Sequence, residues 1–282
     1  MKFLKKNRPY YIAEIGINHN GFLSLTKKMI LAAKDAGADA VKFQKRDADE
    51  LVANGDYKKN PIGYLSKNEF DIKKKKIKFG GWTYPDTRLE LKDDNYKKIK
   101  KLCKKLKIDL IITPWDNKSL SFINKLGVTA IKISSIDATN YQFCSRVAKL
   151  KKNTIISTGM TNYDEIIIID KIFKKNNCKH IFLHCTSSYP SEEKDKNLNC
   201  ILKLKKILKS DVGFSGHGLD IAGPVGATAL GAKIIEKHVT LNKKMHGPDH
   251  AASIEFPEFK RMVELCNKVS LSMGTDKKKF LK

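Results

Sequence analysis

Arginine is nearly missing from this chain. Of its 55 basic residues only five are Arg (Arg8, Arg46, Arg88, Arg146 and Arg261), and the rest are Lys. Against 30 acidic residues this leaves a net charge of +25, a balance that ordinarily points to nucleic acid or an anionic membrane surface. Readers of phosphates and base edges favour the planar, bidentate Arg fork. An excess built of Lys therefore reads as compositional drift, and neither nucleic acid nor membrane is an expected partner. Long apolar runs are missing too: none approaches the roughly 20 residues of a membrane span. The stretch from Met1 to Arg8 holds no apolar segment or small-residue cleavage site, so no secretory signal is expected. The six Cys (Cys103, Cys144, Cys178, Cys185, Cys200, Cys266) form no CxxC pair and no zinc-knuckle spacing. They read as reduced thiols, and the protein as cytoplasmic.

What the chain does have is rhythm. Short β-branched runs, Tyr10–Ile15, Ala40–Gln44, Leu110–Thr113, Ala130–Ile133, Thr154–Ser157, His180–His184, Val212–Ser215 and Lys233–Val239, alternate with longer helical patterns. The helices are expected over 24–36, 92–107, 119–125, 141–149, 163–176, 197–209, 221–230 and 256–272. Eight strands each followed by a helix predict an α/β fold, a (β/α)8 TIM barrel. The runs are continuously apolar, as strands covered on both faces should be. Residues 45–91 break the rhythm between strand 2 and its helix. A connection this long is expected either as a lid over an active site or as a surface insert.

In such a barrel, chemistry gathers at the C-terminal ends of the strands. There the chain places Glu14; Lys42 and Gln44; Thr113; Lys132, Ser135 and Asp137; Ser157; His184, Cys185, Ser187 and Tyr189; Ser215 and His217; and Glu236, His238 and Asp249. Buried Lys and Glu are costly unless paired or liganded, so this convergence is hard to explain as packing. Lys42 and Lys132, among hydroxyls and glycine turns, suit a small anion carrying phosphate and carboxylate. The competing explanation is that both snorkel to solvent. His217 and His238, on consecutive strands, could hold a divalent metal with help from Glu14 and Asp249, or could be packed core imidazoles. His184 is expected to cap or fill the barrel mouth, His180 to lie on the surface, and Cys185 to pack.

These motifs resemble the sialic acid (N-acetylneuraminate) synthase family, which includes legionaminic and pseudaminic acid synthases. The matching stretches are AEIGINHNG (13–21), GADAVKFQ (37–44), ISTGM (156–160), HCTSSYP (184–190), GFSGH (213–217), EKHVT (236–240) and GPD (247–249). They run in the family's order from about residue 10 to 273. The resemblance implies a TIM-barrel transferase that condenses phosphoenolpyruvate (PEP) with an N-acylated hexosamine, releasing phosphate and forming a nine-carbon 2-keto sugar acid. It implies a divalent metal, Mn²⁺ first and Mg²⁺ or Co²⁺ next, on His217 and His238. PEP is then expected on Lys42, Thr113, Lys132, Ser135, Ser157, Ser187 and Ser215, and the sugar on Gln44, Tyr189 and Asp249. Glu14 and Asp137 are the expected catalytic carboxylates.

Two departures from the family pattern stand out: Ser187 replaces a common Asn, and Asp137 replaces a Glu one methylene longer. The chain also ends at Lys282, where relatives continue into an antifreeze-like domain that supplies an Arg to a partner's sugar site. A single barrel domain over 1–282 is expected without it, as a homodimer or with a separate partner carrying that domain. A different aldose or a phosphorylated sugar remains an alternative acceptor, and a polyanion-binding barrel an alternative function. On this reading most of the +25 is surface Lys, such as Lys73–Lys76 and Lys277–Lys279, and only Lys42 and Lys132 serve an anionic substrate.

Overall fold

A computed structural model describes residues 1–47, 50, 89–278 and 280, and the backbone of three short strands between 70 and 84. Eight parallel strands form the barrel: β1 (Tyr10–Gly16), β2 (Ala40–Lys45), β6 (Asp109–Pro114), β7 (Ala130–Ile133), β8 (Thr154–Ser157), β9 (His180–Cys185), β10 (Val212–Gly216) and β11 (Ile234–Thr240). Each hydrogen-bonds the next, and β11 returns to β1 in the register Tyr10↔Ile234 to Glu14↔His238, which closes the sheet. Outside run α1 (Leu23–Asp35), α2 (Asp93–Leu106), α3 (Asn117–Leu126), α4 (Tyr141–Lys149), α5 (Tyr163–Lys175), α6 (Cys200–Leu208), α7 (Ala222–Ala229) and α8 (Phe256–Ser272). Local signals start several of them. Asp116 caps α3 by accepting from Ser119 N at 2.6 Å, and Asn162 with Glu165 forms a reciprocal capping box on α5.

Successive strand residues point to opposite faces, and this alternation builds two cores. Outward residues such as Phe43, Ile112, Ile131, Ile156 and Phe182 pack with Ile30, Ile99, Ile123 and Ile169 of the helices. Inward residues Tyr10, Ile12, Ala40, Ile111, Ala130, Ile155, Ile181, Leu183 and Ile234 fill the barrel floor. Two residues further along those same inward columns stand Glu14, Lys42, Thr113, Lys132, Ser157, Cys185 and Glu236. A polar layer thus sits on an apolar floor, one pleat above it. Gly213 completes the floor: a Cβ there would lie 2.4 Å from Leu183 Cδ2 and 2.8 Å from Ile234 Cβ. Only glycine leaves room for the two neighbours.

Three details differ from the sequence expectation. α6 starts at Cys200, not 197, because Asn197 has a positive φ of 42° that no helix accepts. A parallel strand β12 (Ile254–Glu255) extends β11, and β3 (Phe70–Asp71), β4 (Lys76–Phe79) and β5 (Trp82–Tyr84) form a small antiparallel sheet within the 45–91 segment. Strands of two to four residues are too short to show a period. Most of 45–91, on which the lid expectation rests, lies outside the described residues. Among the described residues, no helix is long and apolar enough to cross a membrane.

Candidate active site

The polar layer opens into a cavity of ≈ 900 Å³ at the C-terminal ends of the strands. On its floor lie two cations and two anions. Lys42 Nζ stands 2.9 Å from Glu14 Oε1 and 3.5 Å from Glu236 Oε1, and Lys132 Nζ is 3.0 Å from the same Glu236 oxygen. Ser215 Oγ donates to Glu236 Oε1 at 3.0 Å, and Gln44 Nε2 donates to Glu14 Oε1 at 3.3 Å. All four charged side chains are about 5% exposed or less, so neither Lys snorkels. Burial raises the Glu236 pKa, but Lys132 and Lys42 win and hold it at about 2. Burial likewise opposes the Lys42 charge, and Glu14 and Glu236 keep its pKa above the ordinary lysine value. The quartet is nearly neutral. It also leaves Glu14 Oε2, Glu236 Oε2 and Ser157 Oγ buried without hydrogen-bond partners, all on cavity-lining residues.

Hydroxyls surround the quartet: Thr113, Ser157 and Ser215 stand in the same layer, Ser135 and Ser187 follow the ends of their strands, and all five line the cavity. Ser135 Oγ accepts from Gly159 N at 3.0 Å. Gly159 also admits Ser187, whose Oγ would lie 2.4 Å from any Cβ at that position. Gly16, at φ +56°, lets Glu14, Gln44 and Asp249 converge, with all three within 3.6 Å of where its Cβ would be.

His217 and His238 face one another with ring centroids 5.6 Å apart. His217 Nδ1 is 2.7 Å from the Thr186 carbonyl, so the ring donates there and turns Nε2 into the cavity, where it accepts from the Tyr189 hydroxyl at 2.9 Å. His238 Nδ1 is buried without a hydrogen-bond partner, 4.0 Å from Asp249 Oδ2. Burial first, then His217 and Lys42, lower the His238 pKa well below its ordinary value, so the ring is neutral. Burial raises that of Asp249 to about 6. Two imidazoles, one fixed by a carbonyl and one holding an unpartnered nitrogen beside a carboxylate, fit a divalent metal. Among the described residues no group of three or more His, Cys, Asp or Glu is arranged to hold an ion.

Every rim residue singled out in the sequence lines this cavity except Asp137 and His184. Asp137 accepts from Ser134 Oγ at 2.7 Å, and Ser134 is the residue that faces the cavity. Burial raises the Asp137 pKa to about 6. The proton is therefore bound more tightly in the folded chain than in the unfolded one. Stability from this group is full below about pH 4 and lost as pH rises through 6. Asp137→Asn is accordingly expected to gain about 1–2 kcal/mol at pH 7.5 and nothing at pH 4, read by urea denaturation at the two pH values.

Three further expectations need correction. His184 points outward from β9, and its Nε2 meets the Lys196 carbonyl at 2.7 Å instead of filling the mouth. His180 is not on the surface: its side chain is 10% exposed and paired with Asp170 Oδ1 at 2.9 Å. Cys185 has no basic partner along the chain, but the neighbouring strand brings His217 Nδ1 to 3.7 Å of its sulfur. Nor are Lys42 and Lys132 the only cations drawn inward, because Lys45, Arg46, Lys196 and Lys237 are buried as well. What sequence reasoning left unassigned is Glu236, Arg46 and Trp115. The first two were open to discovery, since Glu236 sits between Ile234 and His238 in one inward column, and Arg46 continues Ala40, Lys42 and Gln44 in another.

The NeuB family model matches residues 29–278. An N,N'-diacetyllegionaminic acid synthase of Campylobacter jejuni is 38% identical over 274 residues, covering 96% of this chain and 79% of that protein. An N-acetylneuraminate-9-phosphate synthase of Mus musculus is 34% identical over 279 residues, covering 98% and 74%. Among solved structures, the N-acetylneuraminic acid synthetase of Leptospira borgpetersenii, in complex with citrate, superposes with a TM-score of 0.83 at 32% identity, covering 99% of this chain and 90% of that one.

Proposed function

This chain belongs to the NeuB family, whose members are PEP-dependent C–C bond-forming transferases, and on that footing we propose that its acceptor is an N-acylated hexosamine. The product is then a nine-carbon 2-keto sugar acid, with release of phosphate. The observation that carries this reading is the buried Lys42–Glu14–Glu236–Lys132 quartet among five hydroxyls, in a cavity large enough for both substrates. With the enzymatic family assigned, the polyanion-binding alternative rests on the Lys excess alone.

In this proposal PEP lies on the floor. Lys42 and Lys132 face its phosphate and carboxylate, and Thr113, Ser135, Ser157, Ser187 and Ser215 supply hydroxyl donors. Because the lysines are already balanced by Glu14 and Glu236, they are held in place before substrate arrives, and little reorganisation accompanies the reaction. Bound at His217 and His238, a divalent cation, Mn²⁺ by preference, would act as a Lewis acid on the aldehyde oxygen. The PEP C3 bonds to the aldehyde carbon, whose oxygen takes up a proton. Water adds at C2 and gives up its proton, which Glu14, lining the cavity with Oε2 unpartnered, takes up. The C2–O bond to phosphate then breaks, leaving the 2-keto acid. Asp137 acts through Ser134, and Gln44, Tyr189 and Asp249 hold the sugar. Mass spectrometry after incubation with PEP and N-acetylmannosamine tests the reading: the expected product is the acceptor lengthened by three carbons, and unchanged acceptor counts against it.

A further inference from the structure

β11 carries its chemistry on one face. Glu236 and His238 line the cavity, while the residues between and beside them face the helices, where Ile235 and Val239 belong to the outer apolar core. Lys237 stands in that outward column and is 1% exposed. A buried ammonium among apolar neighbours is costly unless paired, and packing alone would need no charge there. Its Nζ donates to the Gly218 carbonyl. Gly218 directly follows His217, and Lys237 directly precedes His238. One side chain thus ties the peptide after one imidazole to the strand that carries the other.

The backbone ladder between β10 and β11 runs from Phe214↔Ile235 to Gly216↔Lys237 and ends one residue short of His217. The Lys237 side chain carries the link past that end. Other ties on the same turn come from the segment after β9. Ser191 N donates to the His217 carbonyl at 3.3 Å, and Lys196 Nζ lies 3.0 Å from Asp220 Oδ2. Asp220 Oδ1 in turn accepts from Ala222 N at 2.7 Å where α7 begins. Gly218 meets both lysines: its carbonyl accepts from Lys237, and a Cβ on it would lie 2.9 Å from Lys196 Cε and Nζ. The turn that delivers His217 is therefore fastened on two sides, and Lys237 is its side-chain tie to β11.

We propose that Lys237 is a positioning residue for the metal site. By holding the Gly218 carbonyl it fixes the His217 backbone relative to His238, so that the two imidazoles meet a cation at a preset separation. The inference rests on the metal assignment above and adds to it a residue that lies outside the cavity. Calorimetric titration with Mn²⁺ of the wild-type chain, Lys237→Met and Lys237→Ile tests it. Both variants remove the donor; the first keeps an unbranched stem, and the second matches the apolar column of Ile235 and Val239. Expected is an Mn²⁺ Kd at least about tenfold weaker in whichever variant folds. KM for PEP at saturating Mn²⁺ should stay within about twofold of wild type, because Lys237 faces away from the Lys42 and Lys132 layer. A smaller loss of Mn²⁺ affinity, a KM for PEP that rises beyond that range, or failure of both variants to fold gives Lys237 a role in the fold alone. Each of these overturns the inference and leaves the metal reading in place. No Mn²⁺ binding by the wild-type chain overturns the metal reading and this inference with it.

Discussion

Replacing Lys132 with Met is expected to lower kcat/KM for PEP by at least about 1,000-fold and to cost about 2–4 kcal/mol of stability. Both effects follow from Glu236. Its buried carboxylate is held at a pKa of about 2 against burial, chiefly by Lys132 and Lys42. With Lys132 gone it keeps Lys42 at 3.5 Å and Ser215 at 3.0 Å, but the balance of two cations against two anions is lost. The double variant Lys132→Met/Glu236→Gln separates the two effects. Removing both charges should restore most of the stability, because a neutralised pair leaves no buried charge uncompensated. Turnover should stay lost, because the substrate's own charge then has one lysine where it needs two. Chemical denaturation and steady-state kinetics on the two variants read both quantities. A single variant with near-normal kcat/KM would mean that Lys132 belongs to the packing alone.

His238→Ala is expected to abolish turnover, by about 1,000-fold or more, while changing stability by no more than about 1 kcal/mol. The asymmetry comes from its surroundings. The ring lies at the wall of an existing cavity, and its Nδ1 makes no hydrogen bond that the fold would miss. Calorimetric titration with Mn²⁺ gives a readout independent of catalysis: wild-type chain should bind and His238→Ala should not. If instead the variant unfolds, the imidazole is a packed core residue and the metal assignment to His217 and His238 falls.

The barrel was legible because its strands are short, continuous and evenly interrupted. Where sequence and structure part, a three-dimensional neighbour decided the outcome. The ends of β7 and β11 point to a Lys and a Glu, but only closure of the sheet reveals that Lys132 and Glu236 meet at 3.0 Å across 104 residues. Cys185 looked inert because its basic partner lies on the next strand. Asp137 was grouped with the rim because it follows Ser134 and Ser135, whereas the turn after β7 tucks its carboxylate behind Ser134. His184 and Cys185 are adjacent, and the two-residue pleat sends only Cys185 inward. The charge that opened the sequence reading takes a similar turn. Lys42 and Lys132 are the lysines that Glu14 and Glu236 balance within the cavity, whereas buried Lys45 and Lys196 are paired away from it, with Asp93 and with Glu193 and Asp220.

The central claim is that the quartet and the two imidazoles form one PEP-dependent synthase site. Phosphate release from PEP, followed with and without an N-acylated hexosamine and with and without chelator, tests it most directly. The account predicts release only when PEP, sugar and a divalent cation are all present, in step with loss of sugar. Release that ignores the sugar and survives chelation, or none with any N-acylated hexosamine and Mn²⁺ supplied, would contradict it.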